Sequence, residues 1–137
     1  MSARVLLDNE AVQALGSPRH PKHRRVLAHV QVIAQRKRRA VQTGISVPTT
    51  VRVEAGWDRN SASWSFANLL RITDEPLDTA QANTAASIRQ GSEVSVADAH
   101  LGAVIRSAGA DRVAVITSDP ADVRAVAGDR AVTVVTI

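Results

Sequence analysis

At 137 residues, with 45% hydrophobic and 22% charged residues, the chain is long enough for one domain with a sizeable core and too short for two, so residues 1–137 are read as a single domain. The absence of cysteine excludes disulfide scaffolds, thiolate zinc sites, iron–sulfur clusters and thiol nucleophiles, so any metal must be held by oxygen or imidazole. The net charge of +4 conceals a division: residues 1–53 carry ten Lys/Arg against two acids (+8), whereas residues 54–137 carry seven against eleven (−4).

In chain order, Val5-Leu6-Leu7 reads as a short buried strand running into Asp8, and Asn9 to Leu15 as a helix that Gly16, Ser17 and Pro18 terminate. Val26, Leu27, Val30, Ile33, Ala34 and Val41 recur at helical spacing, which predicts one amphipathic helix over residues 22–42 with Gly44 ending it. Ile45-Ser46-Val47 is a second strand. Pro48-Thr49-Thr50 opens a helix through Val51, Glu54 and Ala55, and Ser61 to Leu70 forms another. Leu70-Arg71-Ile72 is a weak third strand, followed by helices over Ala80–Arg89 and Val94–Ala108, the latter closed by Gly109. Val113–Ile116, Pro120–Ala127 and Val132–Ile137 read as strand, helix and strand. Alanine and valine together supply 42 residues, so the interior is built from small side chains on closely packed elements. No apolar run approaches the roughly 20 residues that span a bilayer, and Met-Ser-Ala-Arg leads into a strand without a signal-peptide core, so a cytoplasmic protein without a membrane partner is expected.

Short, wholly apolar strands alternating with helices predict an α/β protein: a parallel sheet covered on both faces, a three-layer α/β/α sandwich. Ligands of such sheets bind beyond the carboxyl ends of the strands. That rule selects Asp8, directly after the first strand, and Asp119, which follows the fourth through Thr117 and Ser118. Asp98 lies four residues after Val94 and three before Leu101, beside the apolar stripe of its helix, where a charge needs a partner. Glu54 lies three residues after Val51, again near the strands' carboxyl ends. Carboxylates that converge repel one another unless a divalent cation neutralises them, and hard Mg²⁺ or Mn²⁺ suits such oxygen donors. Each acid also has a plain structural reading. Asp8 and Asp119 fit helix N-caps, Asp119 with Pro120 at the first helical position; Ser95-x-x-Asp98 fits a capping box, and Glu54 a surface acid.

No acid occurs between Ala11 and Val53, a stretch that holds Lys22, Arg24, Arg25, Arg36, Lys37, Arg38 and Arg39 with His20, His23 and His29. Such a block suits a polyanion, although a solvated helix face has the same composition. His20 and His23 have metal-compatible spacing but no evident third ligand nearby.

The segments VLLDNEAV (5–12), VPTTVRVEAG (47–56), VSVADAHLGAVIRSAGA (94–110) and VAVITSDPADVRAV (113–126) follow one another in the order and spacing of PIN domains, and the whole chain resembles the VapC-type toxins of bacterial toxin–antitoxin pairs. The resemblance implies a sheet ordered 3-2-1-4-5 and a Mg²⁺- or Mn²⁺-dependent endoribonuclease acting on structured RNA, tRNA or rRNA. It implies that Asp8, Glu54, Asp98 and Asp119 are the catalytic, metal-binding acids, with Thr117 or Ser118 orienting the site. Asp122 is the competitor of Asp119, or an aid to the N-terminus of its helix. It also implies a homodimer and a small VapB-like antitoxin, for which Trp57, Trp64 and Phe66 are candidate contacts; core packing accounts for them equally well.

Two other classes compete. A non-catalytic RNA-binding module would keep the cations of the second helix while the acids serve as caps. Phosphoryl transfer on a strand-end Asp is disfavoured, because Asp8-Asn9-Glu10 lacks a second Asp two residues on and no lysine follows the last strand.

Overall fold

The apolar strand segments pair through their backbones in one parallel ladder. The computed structural model describes residues 2–35 and 42–137. Its elements are β1 (Ser2–Leu7), α1 (Asn9–Gly16), α2 (His23–Gln35), β2 (Gln42–Pro48), α3 (Thr49–Ala55), a 3-10 turn (Ala62–Trp64), α4 (Ser65–Leu69), β3 (Ile72–Glu75), α5 (Thr79–Gly91), α6 (Val96–Ser107), β4 (Arg112–Thr117), α7 (Pro120–Ala127) and β5 (Thr133–Thr136). The sheet order is β3-β2-β1-β4-β5, all parallel, which is the order expected for the α/β/α sandwich. Val5 of the central strand pairs with Ile45 on one side and Ala114 on the other.

Strand side chains alternate between two cores. Val5, Leu7, Ile45, Val47 and Ile116 face the layer that contributes Val12, Leu15, Val26 and Val30 from α1 and α2. Leu6, Val113 and Val115 face the opposite layer, meeting Leu101, Val104 and Ile105 of α6 and Val123 of α7. A third cluster packs α5 on α6 through Ala85, Ile88, Ala99 and Ala103, with Val126 of α7 against them.

Four boundaries differ from the sequence reading. Residues 36–41 lie outside the described residues, but β2 already begins at Gln42 and holds Gly44 opposite Arg4, so Gly44 is a strand residue and not a helix stop. The predicted helix over 61–70 is a 3-10 turn followed by the five-residue α4, and β3 runs from Ile72 to Glu75 rather than ending at Ile72. Its acids disguise it in the sequence and are neutralised by tertiary partners: Arg52 and Arg59 reach Asp74 at 2.9 and 2.8 Å, and Arg4 reaches Glu75 at 2.8 Å. Finally, α6 ends on Ala108 in an extended conformation, so Gly109 does not close it in the left-handed conformation. That role falls to Gly56, whose φ of 78° ends α3 just after Glu54.

Gly102 sets the spacing of α6 and α7, because a Cβ there would lie 2.7 Å from both Cβ and the carbonyl oxygen of Val126. Backbone cannot yield as a flexible side chain does, and overpacking of this kind costs about 1–3 kcal/mol, more than the roughly 1 kcal/mol alanine gains over glycine in a helix. Gly102→Ala is therefore expected to lower stability in denaturant titration; an unchanged or higher midpoint would refute this account of the contact.

Candidate active site

The site forms at the carboxyl end of β1 and β4, where the chain leaves the two strands in different directions. Asp8 follows β1; its N–H donates to the Ile116 carbonyl at 3.3 Å, and its carboxylate caps α1 by accepting from the Ala11 N–H at 2.9 Å. Thr117 ends β4 fully buried, and its hydroxyl accepts from the Asp119 N–H at 2.9 Å. Asp119 caps α7 by accepting from the Asp122 N–H at 3.2 Å, with Pro120 at the helix start. Ser95 caps α6 by accepting from the Asp98 N–H at 3.0 Å. The caps anticipated as an alternative to a functional site are thus present, and they fix the backbone from which the acids project.

Asp8, Asp98, Asp119 and Asp122 line one small cavity of about 40 Å³ together with Thr117, over a floor of Leu101, Val123 and Val126. That volume suits one water or one small ion, since a water occupies about 30 Å³ in the liquid. Burial pushes the carboxyl of Asp8 above its ordinary value, and hydrogen bonds from Thr117 and from the backbone of Ala11 and Ser118 offset only part of that effect. Asp122 is also raised, first by its hydrogen bond with Asp119, then by burial and by the charges of Asp119 and Asp98. Burial thus dominates at Asp8, and the neighbouring carboxylates act on Asp122.

Glu54 does not line this cavity. It is exposed on α3 and accepts a hydrogen bond from Asn9 Nδ2 at 3.3 Å, one residue from Asp8. Ser118 is exposed beside the pocket. Among the described residues, no three His, Asp or Glu side chains are already arranged to hold one metal ion.

On α2, Val26 and Val30 are buried while Arg24 and Arg25 are exposed; Lys22, just before the helix, lies 3.9 Å from Glu10. Arg36, Lys37, Arg38 and Arg39 lie outside the described residues. His20 and His23 have structural partners: Nδ1 of His20 accepts from the Lys22 N–H and its Nε2 lies 3.1 Å from Glu10, while His23 Nδ1 donates to the Ala14 carbonyl at 2.8 Å. The three aromatics do not form one surface patch. Trp57 is a core residue, stacked on Trp64 at 5.6 Å, with its Nε1 donating to Asn68 and Arg59 over its ring; only Phe66 is exposed.

Sequence reasoning did not single out Asn9, Thr50 or His100. Asn9 was legible only as the neighbour of Asp8, and the Thr50–His100 contact joins residues 50 positions apart, which no local pattern marks.

Solved structures share this fold. The chain is similar to a chain of FitAB bound to an IR36 DNA fragment, with a TM-score of 0.58 and 20% identity over 96% of this chain and 94% of that one. It is similar also to a chain of VapBC2 from Rickettsia felis bound to a DNA fragment from their promoter, with a TM-score of 0.63 and 9% identity over 98% of each. No protein-family model matches the chain, and no curated protein matches it in sequence.

The raised carboxyl of Asp8 has a thermodynamic consequence. Its folded-state affinity for a proton exceeds its unfolded one, so the metal-free protein loses stability as pH rises through the raised value. Asp8→Asn keeps a good N-cap and removes the buried charge. In metal-free buffer the variant is expected to melt at or above the wild-type temperature at neutral pH, with the difference closing as the pH is lowered into the carboxylate range. A variant less stable at neutral pH would contradict the burial of an uncompensated charge.

Proposed function

We propose that the chain is the toxin of a toxin–antitoxin pair, a metal-dependent endoribonuclease that hydrolyses phosphodiester bonds in structured RNA, tRNA or rRNA. The observation that carries this reading is the cavity shared by Asp8, Asp98, Asp119 and Asp122 at the β1–β4 end of a sheet whose fold is that of chains in FitAB and VapBC2.

The pocket suits Mg²⁺ or Mn²⁺ by its all-oxygen donors, its small volume, the burial that raises Asp8 and the neighbouring acids that raise Asp122. Asp8, Asp98 and Asp119 would hold the ion, with Asp122 as the alternative to Asp119 and Glu54 contributing from α3 through its contact with Asn9. A bound divalent ion supplies charge neutralisation at the scissile phosphate and a more acidic water. The protein's own part is orientation. Caps on α1, α6 and α7 fix Asp8, Asp98 and Asp119, while Thr117 holds the turn into Asp119 and, with Ser118, hydrogen-bonds Asp8. Lys22, Arg24 and Arg25 attract RNA phosphates, and the sequence continues this cationic run through Arg36, Lys37, Arg38 and Arg39. The same reading has the protein work in the cytoplasm as a homodimer, silenced by a small VapB-like antitoxin, and the FitAB and VapBC2 complexes support the antitoxin partner. No helix among the described residues is long and apolar enough to cross a membrane.

A second reading is favoured by one observation: Asp8 and Asp119 both make N-cap hydrogen bonds, which would suffice for a non-catalytic RNA-binding module built on the cations of α2. The two readings separate on Asp8→Asn and Asp98→Asn. RNA 5′ ends would be mapped after expression of each protein and after incubation of purified protein with Mg²⁺ or Mn²⁺. The enzyme reading expects discrete new ends with wild type, and a loss of about a hundredfold or more in each variant, because metal-assisted charge stabilisation is worth several kcal/mol, with RNA binding largely retained. Equal cleavage by wild type and both variants would refute the assignment, and RNA binding without any cleavage would favour the module.

A further inference from the structure

Glu54 and Asp98 stand on different helices, and among the described residues a single side-chain hydrogen bond joins those helices: Thr50 Oγ1 and His100 Nδ1 are 2.7 Å apart. His100 is completely buried, two residues beyond Asp98 on α6, where two residues turn about 200° around a helix. Asp98 lines the acidic cavity, whereas His100 points to the first turn of α3. Thr50 lies four residues before Glu54, hence on the same face of α3 one turn away. Other anchors of α3 are its buried Val51, in a core cluster that also takes Ala97 of α6, the Arg52–Asp74 ion pair to β3 and the Asn9–Glu54 hydrogen bond to α1. Of the polar anchors among the described residues, only the Thr50–His100 hydrogen bond reaches the helix that carries Asp98. The imidazole is thus a buried polar link between α6 and α3, and the Pro76 backbone after β3 offers it a further hydrogen-bonding group.

We infer that His100 is a positioning residue that sets α3, and with it Glu54, relative to Asp98 through its hydrogen bond with Thr50. This rests on the proposed role of Glu54 beside the acidic pocket. Changes at the link should reach Glu54 through the α3 backbone and should couple to one another, since the two side chains act as one unit.

The test uses the full chain with His100→Leu, Thr50→Val, their double variant and His100→Asn, whose amide reproduces a hydrogen-bonding atom near the Nδ1 position. In metal-free protein, amide NMR shifts along Thr49–Ala55 should move as far as Glu54 in His100→Leu and Thr50→Val, and return towards wild type in His100→Asn. Binding of Mn²⁺ alone, followed by electron paramagnetic resonance, should weaken about tenfold, as for other residues that orient ligands, in either single variant and no further in the double. Additive losses, or Glu54 shifts unmoved in folded Thr50→Val protein, would overturn the inference. Absence of Mn²⁺ binding by wild type would instead refute the metal reading, and the metal-free shifts would still decide the positioning role.

Discussion

The pairing of β1 with β4 governs everything of chemical interest in this molecule. Residues more than a hundred positions apart become neighbours along that ladder, and Asp8 and the Thr117-Ser118-Asp119 turn are set side by side because each follows its strand at the same level of the sheet. The Asp8 amide even extends the ladder by one hydrogen bond to Ile116. Since Leu6 and Val115 are inaccessible on one face and Leu7 and Ile116 on the other, sliding the register by one residue would swap side chains between the two cores and disrupt the packing of both. The placement of the carboxylates is therefore enforced by apolar burial rather than by their own interactions, which are repulsive.

That repulsion explains the economy of the local structure. Asp8 and Asp119 each satisfy helix N–H groups, and Ser95 does the same one turn before Asp98, so the positive ends of α1, α6 and α7 gather around the acids. Capping and function are compatible uses of one carboxylate, because its two oxygens offer more lone pairs than a cap employs. The close approach of α6 and α7 at Gly102 completes the arrangement by bringing the helix of Asp98 against the helix behind Asp119.

Asp8, Asp98 and Asp119 were legible in the sequence because each is fixed by a short-range rule: a strand end, an apolar stripe, a proline-led helix start. Glu54 was legible only in part. Its helix could be predicted, but the direction in which it presents the carboxylate depends on contacts made by Thr50 and Arg52 with residues 50 and 22 positions away. The third strand was misplaced for a similar reason, since Thr73, Asp74 and Glu75 look like a polar turn until Arg4, Arg52 and Arg59 are seen to pair with them. The start of β2 was hidden by Thr43 and Gly44, which fit a helix end as readily as an edge of a ladder.

The division of charge along the chain acquires a spatial meaning through Glu10. This residue sits in the first turn of α1, two positions after Asp8, and its carboxylate lies 3.1 Å from His20 Nε2 and 3.9 Å from Lys22 Nζ. Partly exposed pairs of this kind contribute little to stability. Their effect is geometric: they hold the entrance of the cationic helix α2 at the end of the sheet where the acids lie, and His23 reinforces the junction by bonding to the last turn of α1. An acid repelling Asp8 is thereby given cationic and imidazole partners of its own. Of the two acids in the basic half of the chain, Asp8 thus lines the pocket while Glu10 anchors the cationic segment beside it.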